Sequence, residues 1–266
     1  MSRVPVLLLL LPLLALTACG ADQEEAAAPG AQDGQTTLLV SAAANLADVL
    51  PPLLDAFRDR TGIQAQVNYG NTAQLAAQIE RGAPVDLFLA ADRQHVETLA
   101  AKGLVLPDTV RVYARGKLVL WTREGSGLAL GSLMDLTSAR IGRIAIANPD
   151  QAPYGAAARQ ALQRLGLWEA LQPKLVIAEN IQQALQYARS GNADVAFTAL
   201  SLVLNEGGAR LEVPTDLYDP IDQALAVVRG TPREAAARRL ADFLASSEAA
   251  TVWQRFGYDL PALVSR

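Results

Sequence analysis

Cysteine occurs once in these 266 residues, histidine once and methionine twice. One thiol closes no internal disulfide, and one imidazole beside it falls short of the clustered ligands that zinc or copper sites require. Positive charge is also scarce. The net charge is −4, with no block of Lys or Arg, which argues against a nucleic-acid partner. The leading apolar run, residues 6–16, is interrupted by Pro12 and is shorter than the roughly 20 residues of a membrane span. There is no G-x-S-x-G elbow. His95, in a polar helical stretch after Asp92 and beside Glu97, reads as a surface residue. A nucleophile with a base in reach is therefore missing, and the sequence points to a binding protein that catalyses no reaction.

The N-terminus has the pattern of an export signal. Arg3 precedes the apolar run, and Leu16-Thr17-Ala18-Cys19 follows, then Gly20. This ordering reads as a signal peptide over 1–18, ending in a lipobox whose Cys19 becomes an acylated N-terminus. Acyl chains would hold the protein on a membrane without spanning it. Residues 20–35, rich in Ala, Glu, Gln, Gly and Asp, have little to bury and read as a tether. The expected location is extracytoplasmic and membrane-anchored.

From residue 36 onward the chain alternates between two periods. Apolar, β-rich runs occur at 37–42, 64–69, 85–90, 118–122, 144–147, 174–178, 195–199, 211–214 and 224–229. Helical stripes lie between them: Ala158, Ala161, Leu162 and Leu165 are spaced i, i+3, i+4, i+7, as are Ile181, Ala184, Leu185 and Ala188. Such alternation predicts an α/β fold with mostly parallel sheets. Gly82, Gly103, Gly166 and Gly191 fall where helices should stop. Pro51 and Pro52 predict a kink or restart after about one turn of the first helix. The grouping predicts two lobes, 36–121 with 222–266 and 122–221, joined by a two-stranded hinge at 117–122 and 222–229.

Four strand-to-helix turns carry the candidate chemistry: SAAAN at 41–45, Gly70-Asn71-Thr72, Pro153-Tyr154-Gly155 and Glu179-Asn180 before Ile181. Open α/β sheets bind ligands at the carboxyl ends of their strands. There the helices present unpaired N–H groups and the positive end of their dipole, a natural anion site. Any one such turn is an ordinary N-cap; the case rests on two in each predicted lobe. None of the four contains Lys or Arg, so the donors are neutral: Asn45, Thr72, Tyr154 and backbone. With no carboxylate in the first three turns to accept a proton, a fully deprotonated dianion fits better than phosphate.

These segments, together with GNTAQLAAQI at 70–79, GAPVDLFLAAD at 82–92, NPDQAPYGA at 148–156, ENIQQAL at 179–185 and FGY at 256–258, resemble the molybdate-binding proteins of ABC importers over nearly all of 36–266. The resemblance implies a type II periplasmic-binding-protein fold that closes two lobes around molybdate or tungstate. It implies no cofactor, an ABC transporter permease as partner, and a monomer. Carried over, the ligand contacts are Asn45 through side chain and backbone, Thr72 through its hydroxyl, Tyr154 through backbone N–H and phenol, and Ile181 through backbone N–H alone. Some members place a ligand-binding Tyr where this chain has Thr198; here the phenol is expected from Tyr154. Sulfate, or a role as oxyanion sensor, stands as the alternative reading.

Overall fold

The structure, a computed structural model, describes residues 36–261. The predicted signal peptide, Cys19 and the tether lie outside the described residues. Two five-stranded sheets form the frame. The first contains β1 (Thr37–Ala43), β2 (Gln64–Gly70), β3 (Leu87–Ala90), β4 (Arg111–Gly116) and β10 (Ile221–Val227), in the order β2-β1-β3-β10-β4. The second contains β5 (Leu118–Thr122), β6 (Ile144–Ala147), β7 (Leu175–Ala178), β8 (Val195–Ala199) and β9 (Ala209–Glu212), in the order β7-β6-β8-β5-β9. Each sheet has a parallel heart: β1 runs with β2 and β3, and β6 with β7 and β8. β10 lies antiparallel between β3 and β4, and β5 between β8 and β9.

The central strands are continuous apolar runs because helices cover both faces. Every residue of β3, β6 and β8 is buried. Period-2 alternation then sorts them by side: Leu87 and Leu89 enter one core cluster of the first lobe, Phe88 and Ala90 the other. The helices are α1 (Leu50–Thr61), α2 (Thr72–Glu80), α3 (Arg93–Ala101), α4 (Pro153–Arg164), α5 (Trp168–Leu171), α6 (Ile181–Arg189), α7 (Glu234–Leu244) and α8 (Ser247–Arg255). The stripe of α6 is wholly buried, which fixes the helix against its sheet and places its first residue at the strand ends. α7 and α8 pack on the first lobe through Leu240, Leu244 and Trp253.

Three expectations are corrected or narrowed. The outward crossing was expected over 117–122, with the first lobe extending to 121. Instead Leu118–Thr122 is a strand inside the second sheet, so that crossing shrinks to Lys117, between β4 and β5. The return crossing likewise falls before β10, not within 222–229. The two crossings run side by side: Ile221 pairs with Gly116, and the Leu118 N–H donates to the Tyr218 phenol oxygen at 3.2 Å. Second, β4 has no counterpart in the sequence reading, because Arg111 and Arg115 interrupt its apolar pattern on an edge strand. Third, of the kink or restart expected at Pro51 and Pro52, the restart is what occurs. A 3-10 turn at Ala44–Leu46 comes first, and α1 then begins with Pro in its first turn, where the missing N–H costs nothing.

Candidate functional site

The carboxyl ends of β1 and β2 face the loops that follow β6 and β7 across a small cavity. Asn45, Thr72, Tyr154 and Ile181 all line it, with Ala43, Asn71, Ala91, Ala152 and Asn180 among their neighbours. No Asp, Glu, Lys, Arg or His is in that lining.

Helix starts supply the donors. At α2 the N-cap Asn71 accepts from the Gln74 N–H at 2.7 Å, which leaves the Thr72 N–H without an intrahelical partner. The Thr72 hydroxyl oxygen accepts from the Ala91 N–H at 3.1 Å. Its own proton remains available for an acceptor in the cavity. At α6 the N-cap Asn180 takes the Gln183 N–H at 3.0 Å, which leaves the Ile181 N–H. α4 differs. Its N-cap is Ala152, which offers no side-chain oxygen, and Pro153 in the first turn has no N–H. The Tyr154 N–H therefore starts a helix with no side-chain cap, in a region where Tyr154 is only 2% exposed. A buried helix end without partners is the signature of a ligand site. Gly155 lets this end approach β6, since a Cβ there would stand 2.2 Å from the Ala147 carbonyl oxygen.

Of the expected side-chain donors, the Asn45 amide is engaged elsewhere, whereas the buried Tyr154 phenol has no hydrogen-bond partner. Asn45 has two amide protons, and both are used: Nδ2 donates to Gln223 Oε1 and to the Tyr258 hydroxyl oxygen, each at 2.9 Å. Only its backbone N–H is left for a ligand. The Tyr154 phenol reaches the crossing between lobes, where a Cβ on Gly116 would sit 2.0 Å from its oxygen, beside the Gln223 amide. Burial, then the neighbouring Tyr258, hold that phenol well above its ordinary pKa, so it stays protonated.

Sequence reading missed the polar network beneath the cavity. The Tyr258 and Ser201 hydroxyls both lie 3.0 Å from the Asn45 carbonyl oxygen and 3.1 Å from each other. Gln223, fully buried, donates to the Ile221 carbonyl oxygen at 3.2 Å. Ser201 follows β8 in the second lobe, whereas Asn45 and Gln223 belong to the first, so the network spans the cleft floor. The only sequence signal was the FGY segment, whose Tyr is the bridging hydroxyl. Thr198 is fully buried in β8 and does not line the cavity. His95 is a partly exposed neighbour of Asp92, with Nδ1 2.8 Å from its Oδ2. Trp121 packs in the second-lobe core with its indole N–H on the Gly207 carbonyl oxygen. Among the described residues no group of three or more His, Cys, Asp or Glu could hold a metal ion, and no helix is long and apolar enough to cross a membrane.

A two-lobed α/β frame whose helix starts converge on a small cavity without charged side chains defines a receptor for a small anion. The chain belongs to the bacterial extracellular solute-binding proteins, whose family model matches residues 38–259. It is 36% identical to the molybdate-binding protein ModA of Rhodobacter capsulatus, over 83% of this chain and 87% of that one. It is 38% identical to ModA of Azotobacter vinelandii, over 83% and 89%. The solved periplasmic molybdate-binding protein of Azotobacter vinelandii superposes with a TM-score of 0.80 at 33% identity, covering 85% of this chain and all of that one.

Proposed function

We propose that this protein is the extracytoplasmic receptor of an ABC importer for molybdate, with tungstate as a second ligand, and that it catalyses no reaction. It is held at a membrane by lipid on Cys19 and passes its ion, as a monomer, to a permease. One observation carries the reading: the cavity is lined by three helix starts and a 3-10 turn and by no charged side chain. The donors assigned to the ion are the Thr72 hydroxyl and the N–H groups of Asn45, Thr72, Tyr154 and Ile181. Each bond to a charged acceptor contributes roughly 1.5–3 kcal/mol. Such a site has no carboxylate to accept a ligand proton, which favours an oxyanion fully deprotonated at neutral pH over hydrogen phosphate. The relatives at 36% and 38% identity are named for molybdate binding, which points to the same ion here.

The ion docks on one lobe. Bending at the paired crossings near Gly116 and Ile221 then brings in the second lobe's N–H groups and expels water. A thermal-shift panel of molybdate, tungstate, sulfate, phosphate and chromate tests the assignment. At about 1,000 times its dissociation constant a ligand stabilises by roughly 4 kcal/mol. Shifts with molybdate and tungstate alone are expected; a shift confined to sulfate or phosphate would replace the ligand. Thr72→Ala is expected to weaken molybdate binding at least about tenfold, read by calorimetry, with Thr72→Ser restoring most of it. Equal affinity in Thr72→Ala would remove that hydroxyl from the site.

A further inference from the structure

Asn71 does more than cap a helix. Capping needs only its side-chain oxygen, and Ser or Asp would serve as well. The amide group gives it two further protons, and both cross the cleft. Nδ2 donates to Gln151 Oε1 and to the Glu179 carbonyl oxygen, each at 3.3 Å. The adjacent Ala73 N–H adds a third bond, to the Gln151 carbonyl oxygen at 3.2 Å. Asn71 itself is only 3% exposed. Gln151 lies in the loop leading to Tyr154, and Glu179 in the loop leading to Ile181. One side chain on the first lobe thus ties together both ligand-donating loops of the second.

We propose that Asn71 is a positioning residue that latches the closed cleft and sets how long the bound oxyanion stays. It rests on the reading of the cavity as an oxyanion site. The latch bonds involve no ligand atom. They form whenever the lobes meet, with or without the ion, and break when the cleft opens. Removing them therefore speeds release and leaves capture unchanged. Because the same bonds aim the loops that carry the Tyr154 and Ile181 N–H groups, closing the cleft and completing the donor set are one event.

The test is stopped-flow binding of molybdate to the full chain, as wild type, Asn71→Ser and Gln151→Ala. Serine keeps the cap of α2, so the ligand-free melting temperature should stay near that of wild type. Loss of the two cross-cleft bonds should raise the dissociation rate roughly tenfold in Asn71→Ser, while the association rate changes by less than about twofold. Gln151→Ala removes one acceptor on an exposed residue and should give about a threefold rise. Small-angle scattering of the ligand-free proteins reads the same latch without the ion, with a larger radius of gyration expected for Asn71→Ser. If wild type binds no molybdate, the oxyanion reading falls and scattering alone decides the latch. Dissociation rates equal to wild type in both variants, or in that case an unchanged scattering profile, overturn the proposal.

Discussion

Gly116 and Tyr154 belong together. The phenol occupies the space that any side chain at position 116 would need. Gly116→Ala should therefore destabilise the protein by about 1–3 kcal/mol through overpacking, measured by chemical denaturation, and Tyr154→Phe should relieve part of that loss in the double variant. Tyr154→Phe alone is expected to keep molybdate affinity within about threefold, since the donor assigned to the ion is the backbone N–H; a tenfold loss in calorimetry would return the phenol to the ligand. Asn45 shows where residue-level reading stops. Its residue type, in a turn between strand and helix, signalled a polar donor near a ligand, and it does line the cavity. That its amide protons go to Gln223 and Tyr258 depends on partners 178 and 213 residues away, which no local pattern encodes.

At the level of elements, α4 carries the sharpest contrast. Asn71 and Asn180 cap α2 and α6, whereas Ala152 leaves α4 without a side-chain cap. Ala152 already has the extended backbone of an N-cap, φ −120° and ψ 122°. Ala152→Ser should supply the missing acceptor and stabilise the ligand-free protein by about 1 kcal/mol. The same hydroxyl competes with the anion for the α4 N–H groups, so molybdate affinity should fall several-fold. Calorimetric melting and titration read the two effects separately, and a rise in both would show that the α4 start is not a ligand donor. Apolar periodicity was enough to locate β5, β6 and β8, whose runs are buried along their whole length. It passed over β4 because Arg111 and Arg115 interrupt the apolar pattern of this edge strand.

Across the whole molecule, charge is kept away from the ligand. The only titratable side chain lining the cavity is Tyr154, and its phenol is held well above its ordinary value by burial and by Tyr258. Molybdate affinity should accordingly be flat from about pH 6 to 9, and a tenfold change across that range would reveal a titrating donor. Stability should behave differently. His95 has its pKa raised chiefly by its hydrogen bond to Asp92, against a smaller opposing effect of burial. A raised histidine contributes stability that is full below its unfolded value of about 6.5 and is lost as pH rises through the folded value. His95→Gln should abolish that decline in denaturation curves while leaving binding untouched.

The sequence by itself determined the α/β class, the helix-start turns and the neutral character of the donors. Each of these depends on local period, local composition or the residue types within a single turn. Only the tertiary structure decided which of those donors remain free, where the chain crosses between lobes, and that Asn71 spans the cleft. Those outcomes depend on which distant groups meet, and a hydrogen-bond donor is available to a ligand only if folding has not already given it a partner.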